Sequence, residues 1–131
     1  MKIIVVLLSL IFIGCDESTG VRQTYVLTTG TTSATYYPVG VALATLVSAN
    51  EESEFALTAI SSAGSLENVK LLRDNQAQFA TMLSIFATWA YEGEGPILRP
   101  QKHMRSVTAL WPNVEHLLLR SDFVTEGTFS D

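Results

Sequence analysis

Cysteine occurs once in the 131 residues, at Cys15, so no internal disulfide can form and no thiolate cluster can hold a metal. Basic residues are scarce: eight Lys and Arg stand against thirteen Asp and Glu. They form no stripe, which argues against recognition of a nucleic-acid backbone. No apolar run reaches the ~20 residues that a membrane-spanning helix requires. Repeats, low-complexity tracts and heptads are missing too. So are the motifs of several large enzyme classes. No lysine follows Gly30 to make a P-loop, G-x-G-x-x-G does not occur, and "AGSLE" around Ser65 lacks the second glycine of a hydrolase elbow. His103 and His116 have no carboxylate at metal-ligand spacing, and Glu92 and Glu94 simply flank a loop glycine. These absences predict no metal or cofactor and leave an enzyme the least favoured of the function classes.

What is present begins at the N-terminus. Lys2 precedes the apolar run "IIVVLLSLIFI" and the dipeptide "GC". A basic tip, a short apolar core and a small residue form the pattern of a secretory signal. The sequence therefore predicts a signal over residues 1–14. Cys15, directly after "IFIG", resembles the cysteine of a bacterial lipobox, with Phe12 where leucine is usual, and the resemblance implies an acylated Cys15 as the mature N-terminus and a lipidated tether over 15–24. Lipid on Cys15 would hold the domain at a membrane surface, in the periplasm or at the cell surface, each buried methylene contributing ~0.8 kcal/mol. Loss of the first 14 residues leaves 117 of the 131, enough for one domain with a modest core.

The remainder alternates. "TYVLTT" reads as a strand and "YYPVGVALATLVSAN" as a helix, with Tyr36, Val39, Leu43, Leu46 and Val47 on its inner face and Pro38 in its first turn. "FALTAIS" is a second strand and "GSLENVKLLRDN" a second helix capped by Ser65, with Leu66, Val69 and Leu72 inward. "QFATML" and "SIFATWAYEG", capped by Ser84, repeat the pattern, and "MRSVTALW" and "VEHLLLR" read as further strands. Strands alternating with helices predict an α/β fold with a mostly parallel sheet. Ligands of such sheets bind outside the carboxyl ends of the strands.

Three turns there carry hydroxyls: "TTGTTSAT", "SSAGS" and "MLS". Ser and Thr are ordinary helix caps. Three together, at helix starts brought to one sheet edge, predict a cradle of backbone N–H groups and positive dipole ends that suits a carboxylate or phosphate without any lysine.

The segments "TGTTSATYYPVG", "AGSLENVKLLRDNQAQFATM" and "SIFATWAYEGEGP", in this order and spacing, resemble the TAXI family, the extracytoplasmic solute receptors of tripartite ATP-independent periplasmic (TRAP) transporters. The resemblance covers roughly Tyr25 to Asp131. It implies a periplasmic binding protein type II-like lobe of Venus-flytrap form, which closes with a second lobe around a small organic acid or amino acid. On the matching motif positions it implies ligand contacts from Gly30, Thr31, Thr32, Ser33, Thr35 and Tyr37, from Gly64 and Ser65, and from Ser84 and Ile85. The family often has glycine where Thr31 and Ala34 stand, and aspartate where Gln78 and Ile85 stand. Such receptors run to about two domains' worth of chain. The expectation is therefore a first lobe over 25–112, a crossover strand and the start of a truncated second lobe over 113–131, and a missing remainder.

The function expected on these grounds is non-catalytic capture of a small anionic solute for a TRAP permease. The competing expectation is a small membrane-anchored lipoprotein of structural or interaction type, in which the hydroxyl turns are only caps.

Overall fold

The computed structural model describes residues 22–114 together with His116, Leu118, Arg120 and Asp122. The expected signal, Cys15, most of the tether and most of the segment after 114 lie outside the described residues. Contacts divide the chain between Met82 and Leu83 into two compact units, and each is described by itself.

The first unit is built on three parallel strands: β1 (Gln23–Thr28), β2 (Phe55–Ile60) and β3 (Phe79–Ala80), in the order β2-β1-β3. Gln23 pairs with Phe55 and the register runs unbroken to Thr28 with Ile60, while Leu27 and Thr28 pair with Phe79 and Ala80. Helix α1 (Tyr36–Ala49) joins β1 to β2, and α2 (Ser65–Arg73) joins β2 to β3. The order dictates where the helices lie. The chain steps outward from β1 to β2 and then back across β1 to β3. Right-handed crossovers in opposite directions place their helices on opposite faces of a sheet. Contacts agree: α1 packs on the face that carries Leu27 and Thr29, whereas Asn68 of α2 reaches Thr28, which points the other way.

The expected α/β architecture with a parallel sheet is what forms, in keeping with part of a periplasmic binding protein lobe. Three details differ from the sequence reading. Leu46 does not face inward: it is 70% exposed, and the buried residues of α1 are Gly40 and Ala44. A Cβ on Gly40 would lie 2.3 Å from Thr29 Cγ2, so the helix approaches the sheet through its smallest side chains. Large apolar residues on the same turns are displaced to the flanks. Next, the N-cap residues of α1 and α2 are Thr35 and Gly64, with Ser65 one place inside α2, and neither cap makes a side-chain hydrogen bond. Finally, "MRSVTALW" forms no strand. Val107 is 81% exposed, and among the described residues the segment is no member of the sheet.

The sheet also carries a half-buried ring cluster on the face of Leu27. Tyr25 meets Phe55 and Phe79 edge-on at 5.4 and 6.1 Å, and the two phenylalanines stack at 6.0 Å. Such pairs contribute about 0.5–1.5 kcal/mol each beyond burial. Arg22 ties the end of α1 to the start of β1, donating to the carbonyls of Ser48 and Asn50 at 2.8 Å each. Its charge also complements the negative end of the helix.

The second unit holds α3 (Ser84–Glu92), which has Leu83 rather than Ser84 at its N-cap. The loop after it folds back onto the helix: Gln101 N–H donates to the Ala90 carbonyl at 2.7 Å, and Ile97 is buried. Lys102 bonds Glu92 at 2.6 Å and lies 4.0 Å over the Tyr91 ring.

Candidate functional site

Two of the three hydroxyl turns meet at the carboxyl edge of the first unit's sheet. Ser62 N–H donates to the Gly30 carbonyl at 3.0 Å, joining the turn after β1 to the turn after β2. From these adjacent strand ends one chain departs to α1 on one face and the other to α2 on the opposite face. That divergence is a topological switch point, and the crevice it opens is where α/β sheets bind ligands.

The predicted residues are distributed unevenly around it. Gly30 is buried, Thr31, Thr32, Ser33 and Thr35 are exposed, and Tyr37 is half-buried. Thr31 and Ser33 lie hydroxyl to hydroxyl at 3.4 Å. Among the described residues no acceptor takes the N–H groups of Thr32 or Ser33. Gly64 and Ser65 are half-buried on the opposite side of the crevice. Gly64 has φ 98° and ψ −159°, a region essentially confined to glycine. Nothing lies within 4 Å of where its Cβ would be, so backbone borders open space there. Ser84 and Ile85 belong to the second unit, where both are exposed at the start of α3.

The two helix starts differ in charge. The Glu67 carboxylate accepts the N–H of Ala63, the residue before the Gly64 N-cap, and so places a negative charge at the start of α2. The first turn of α1 contains no acidic residue. An anion at this edge is therefore drawn to the Thr31–Thr35 side, away from Glu67. Burial pushes the Tyr36 phenol above its ordinary range, so the ring stays neutral there.

What holds the edge together escaped the sequence reading. Asn68 is fully buried, and its carboxamide makes four hydrogen bonds. Nδ2 donates to the carbonyls of Thr29 at 2.6 Å and Thr81 at 2.7 Å. Oδ1 accepts from Thr28 Oγ1 at 2.7 Å and Ser62 Oγ at 2.6 Å. Carbonyls can only accept, which fixes the orientation of the amide. One side chain thus clamps the ends of β1, β2 and β3. A signal was available: Asn68 shares a helical stripe with Leu72, and an amide on an inward face needs buried partners. Thr81 Oγ1, in the same layer, is a buried hydroxyl with no partner among the described residues.

A shallow groove of 530 Å³ lies elsewhere, between α1 and the outer side of β2, lined by Val41, Ala44, Thr45, Ser48, Leu57 and Ala59. It touches none of the hydroxyl turns. Among the described residues no group of three His, Cys, Asp or Glu is placed to hold a metal.

No solved structure matches the chain. The profile of the NMT1-like family matches residues 27–131, a span that includes every strand and helix described above except the first four residues of β1. The parallel sheet, the switch point between β1 and β2 and this match agree, and the chain belongs to the NMT1-like family, a periplasmic binding protein-like family with a general role in solute binding.

Proposed function

We propose that this protein is the extracytoplasmic solute receptor of a TRAP transporter, of the TAXI type, and that it captures a small anionic solute without catalysis. In this reading acylated Cys15 anchors it to the membrane, in the periplasm or at the cell surface, and the transporter's permease subunits take the solute from it. The observation that carries the reading is the junction of two turns at the switch point, where the N–H groups of Thr32 and Ser33, without an acceptor among the described residues, lie before a helix start free of acidic residues. A carboxylate accepts such hydrogen bonds at about 1.5–3 kcal/mol each, so loss of one weakens binding roughly tenfold or more.

Calorimetric titration of the full chain tests this, with acetate, succinate and glutamate as probes and their neutral amides as controls. Binding of a carboxylate but not of its amide is the expected result. Titrations that are flat for every carboxylate, or that favour the amides, would overturn the anionic assignment.

A further inference from the structure

We propose that Ser48 guards the free edge of β2 and that its hydroxyl keeps a second copy of this chain from adding a strand there. β2 is an outer strand of the sheet, and among the described residues nothing pairs with its far side. In a parallel ladder, alternate residues turn their N–H and C=O groups toward the neighbour and away from it. The Ile60 carbonyl accepts Thr29 N–H at 3.1 Å, so Ile60 faces β1. Phe55, Leu57 and Ala59 therefore present their backbone groups outward. A row of such groups is a template for association.

Two serines interrupt that row. Ser48 Oγ accepts the Leu57 N–H at 2.9 Å and donates to the Leu57 carbonyl at 3.0 Å. Ser53 Oγ donates to the Phe55 carbonyl at 2.7 Å. Ser48 is the informative one. It sits in the last turn of α1, nine residues before Leu57, and bonds across to the strand rather than to its own helix. Without its hydroxyl, Leu57 and Ala59 would form two consecutive open rungs. Beside them runs the groove lined by Val41, Ala44 and Thr45, which would receive alternate side chains of an incoming strand.

The incoming strand is a second β2. Its sequence, "FALTAI", has six residues with no charge, proline or glycine, the composition of segments that pair with themselves. An antiparallel β2–β2 contact is self-complementary about a two-fold axis and so closes as a dimer.

Sedimentation velocity on the full chain over a range of concentrations tests the proposal. The wild type sediments as a monomer, while Ser48→Ala shifts with concentration toward about twice that mass. Ser48→Thr, which keeps the hydroxyl, stays monomeric. Ser48→Ala combined with Ala59→Pro also stays monomeric, because proline removes the donor of the next rung. Amide exchange on the wild type supplies a readout that needs no variant to fold: Leu57 exchanges at least about tenfold more slowly than Ala59. A Ser48→Ala protein that sediments as the wild type does would overturn the proposal. Equal association of all three variants, a wild-type dimer, or equal exchange at Leu57 and Ala59 would do the same.

Discussion

Replacing Asn68 by aspartate leaves the shape of the side chain and reverses half of its chemistry. The two hydroxyls of Thr28 and Ser62 can still donate to the new carboxyl. The carbonyls of Thr29 and Thr81, now 2.6 and 2.7 Å from an N–H donor, would face an oxygen instead. A buried polar group stripped of its partner costs about 1–3 kcal/mol, so two such losses give about 2–6 kcal/mol before the charge itself is counted. Ser62 Oγ also lies 3.1 Å from the Thr29 carbonyl, but its one proton goes to the shorter bond at position 68, and the middle of the range, about 4 kcal/mol, is the expected cost. A domain's whole stability is about 5–15 kcal/mol. Asn68→Asp should therefore leave much of the protein unfolded at neutral pH.

The pH dependence separates this account from simple loss of packing. A carboxyl fully buried against two carbonyls has its folded pKa raised above the unfolded value of about 3.9. Its protonated form carries one O–H donor and restores one of the two bonds. A raised folded pKa contributes stability below the unfolded pKa and loses it as pH rises through the folded one. The deficit of Asn68→Asp relative to wild type should thus shrink between pH 7 and pH 4.5. Asn68→Leu, with no titrating group, should show a deficit that does not change over that interval. Urea unfolding followed by circular dichroism reads both. An Asn68→Asp protein within about 1 kcal/mol of wild type at pH 7, or a deficit independent of pH, would refute the four-bond clamp.

Gly40→Ala should destabilise by about 1–3 kcal/mol in the same assay, because its Cβ would meet Thr29 Cγ2 at 2.3 Å. Gly64→Ala should cost about 1–3 kcal/mol through backbone strain alone, since no neighbour lies within 4 Å to clash. Thr32→Val and Ser33→Ala, both exposed, each remove a hydroxyl donor beside the backbone N–H groups of that turn. The melting temperature should stay within a degree or two of wild type, and calorimetry should show anion affinity lowered roughly tenfold where the hydroxyl donates to the carboxylate along with the amides. Cys15→Ser should move the protein from membrane to soluble fractions, and mass spectrometry of the wild type should find acyl groups on that residue.

Local features of this fold were open to inspection in the sequence, and non-local ones were not. The strands Gln23–Thr28 and Phe55–Ile60 announce themselves as short apolar runs between turn residues, and α2 by the spacing of Leu66, Val69 and Leu72. Periodicity failed in α1 because apolar residues occupy nearly every position of "YYPVGVALATLVSA". A stripe can be drawn through Leu46 or through Gly40 and Ala44. The choice falls to the second only when Thr29 is packed against the helix, a contact eleven residues distant in sequence. Periodicity misled in "MRSVTALW" for the opposite reason: the pattern of a strand is present, but a strand exists only with a neighbour to share its hydrogen bonds.

The candidate site divides along the same line. Thr31 to Thr35 and Gly64 to Ser65 stand out because a hydroxyl-rich or glycine-bearing turn is written in consecutive residues. Their meeting is not. It depends on β2 lying beside β1 with β3 on the far side, and sequence alone permits other strand orders. Asn68 acquires its partners only under that order: Thr28 is 40 residues away, Thr29 is 39, and Thr81 is 13. Reversing the positions of β2 and β3 would have put α2 on the opposite face and left the amide without the Thr28 hydroxyl. A buried amide that finds four partners in one strand order discriminates against the others by several kcal/mol. The residue least conspicuous in the sequence thus selects the arrangement that makes the conspicuous turns into one site.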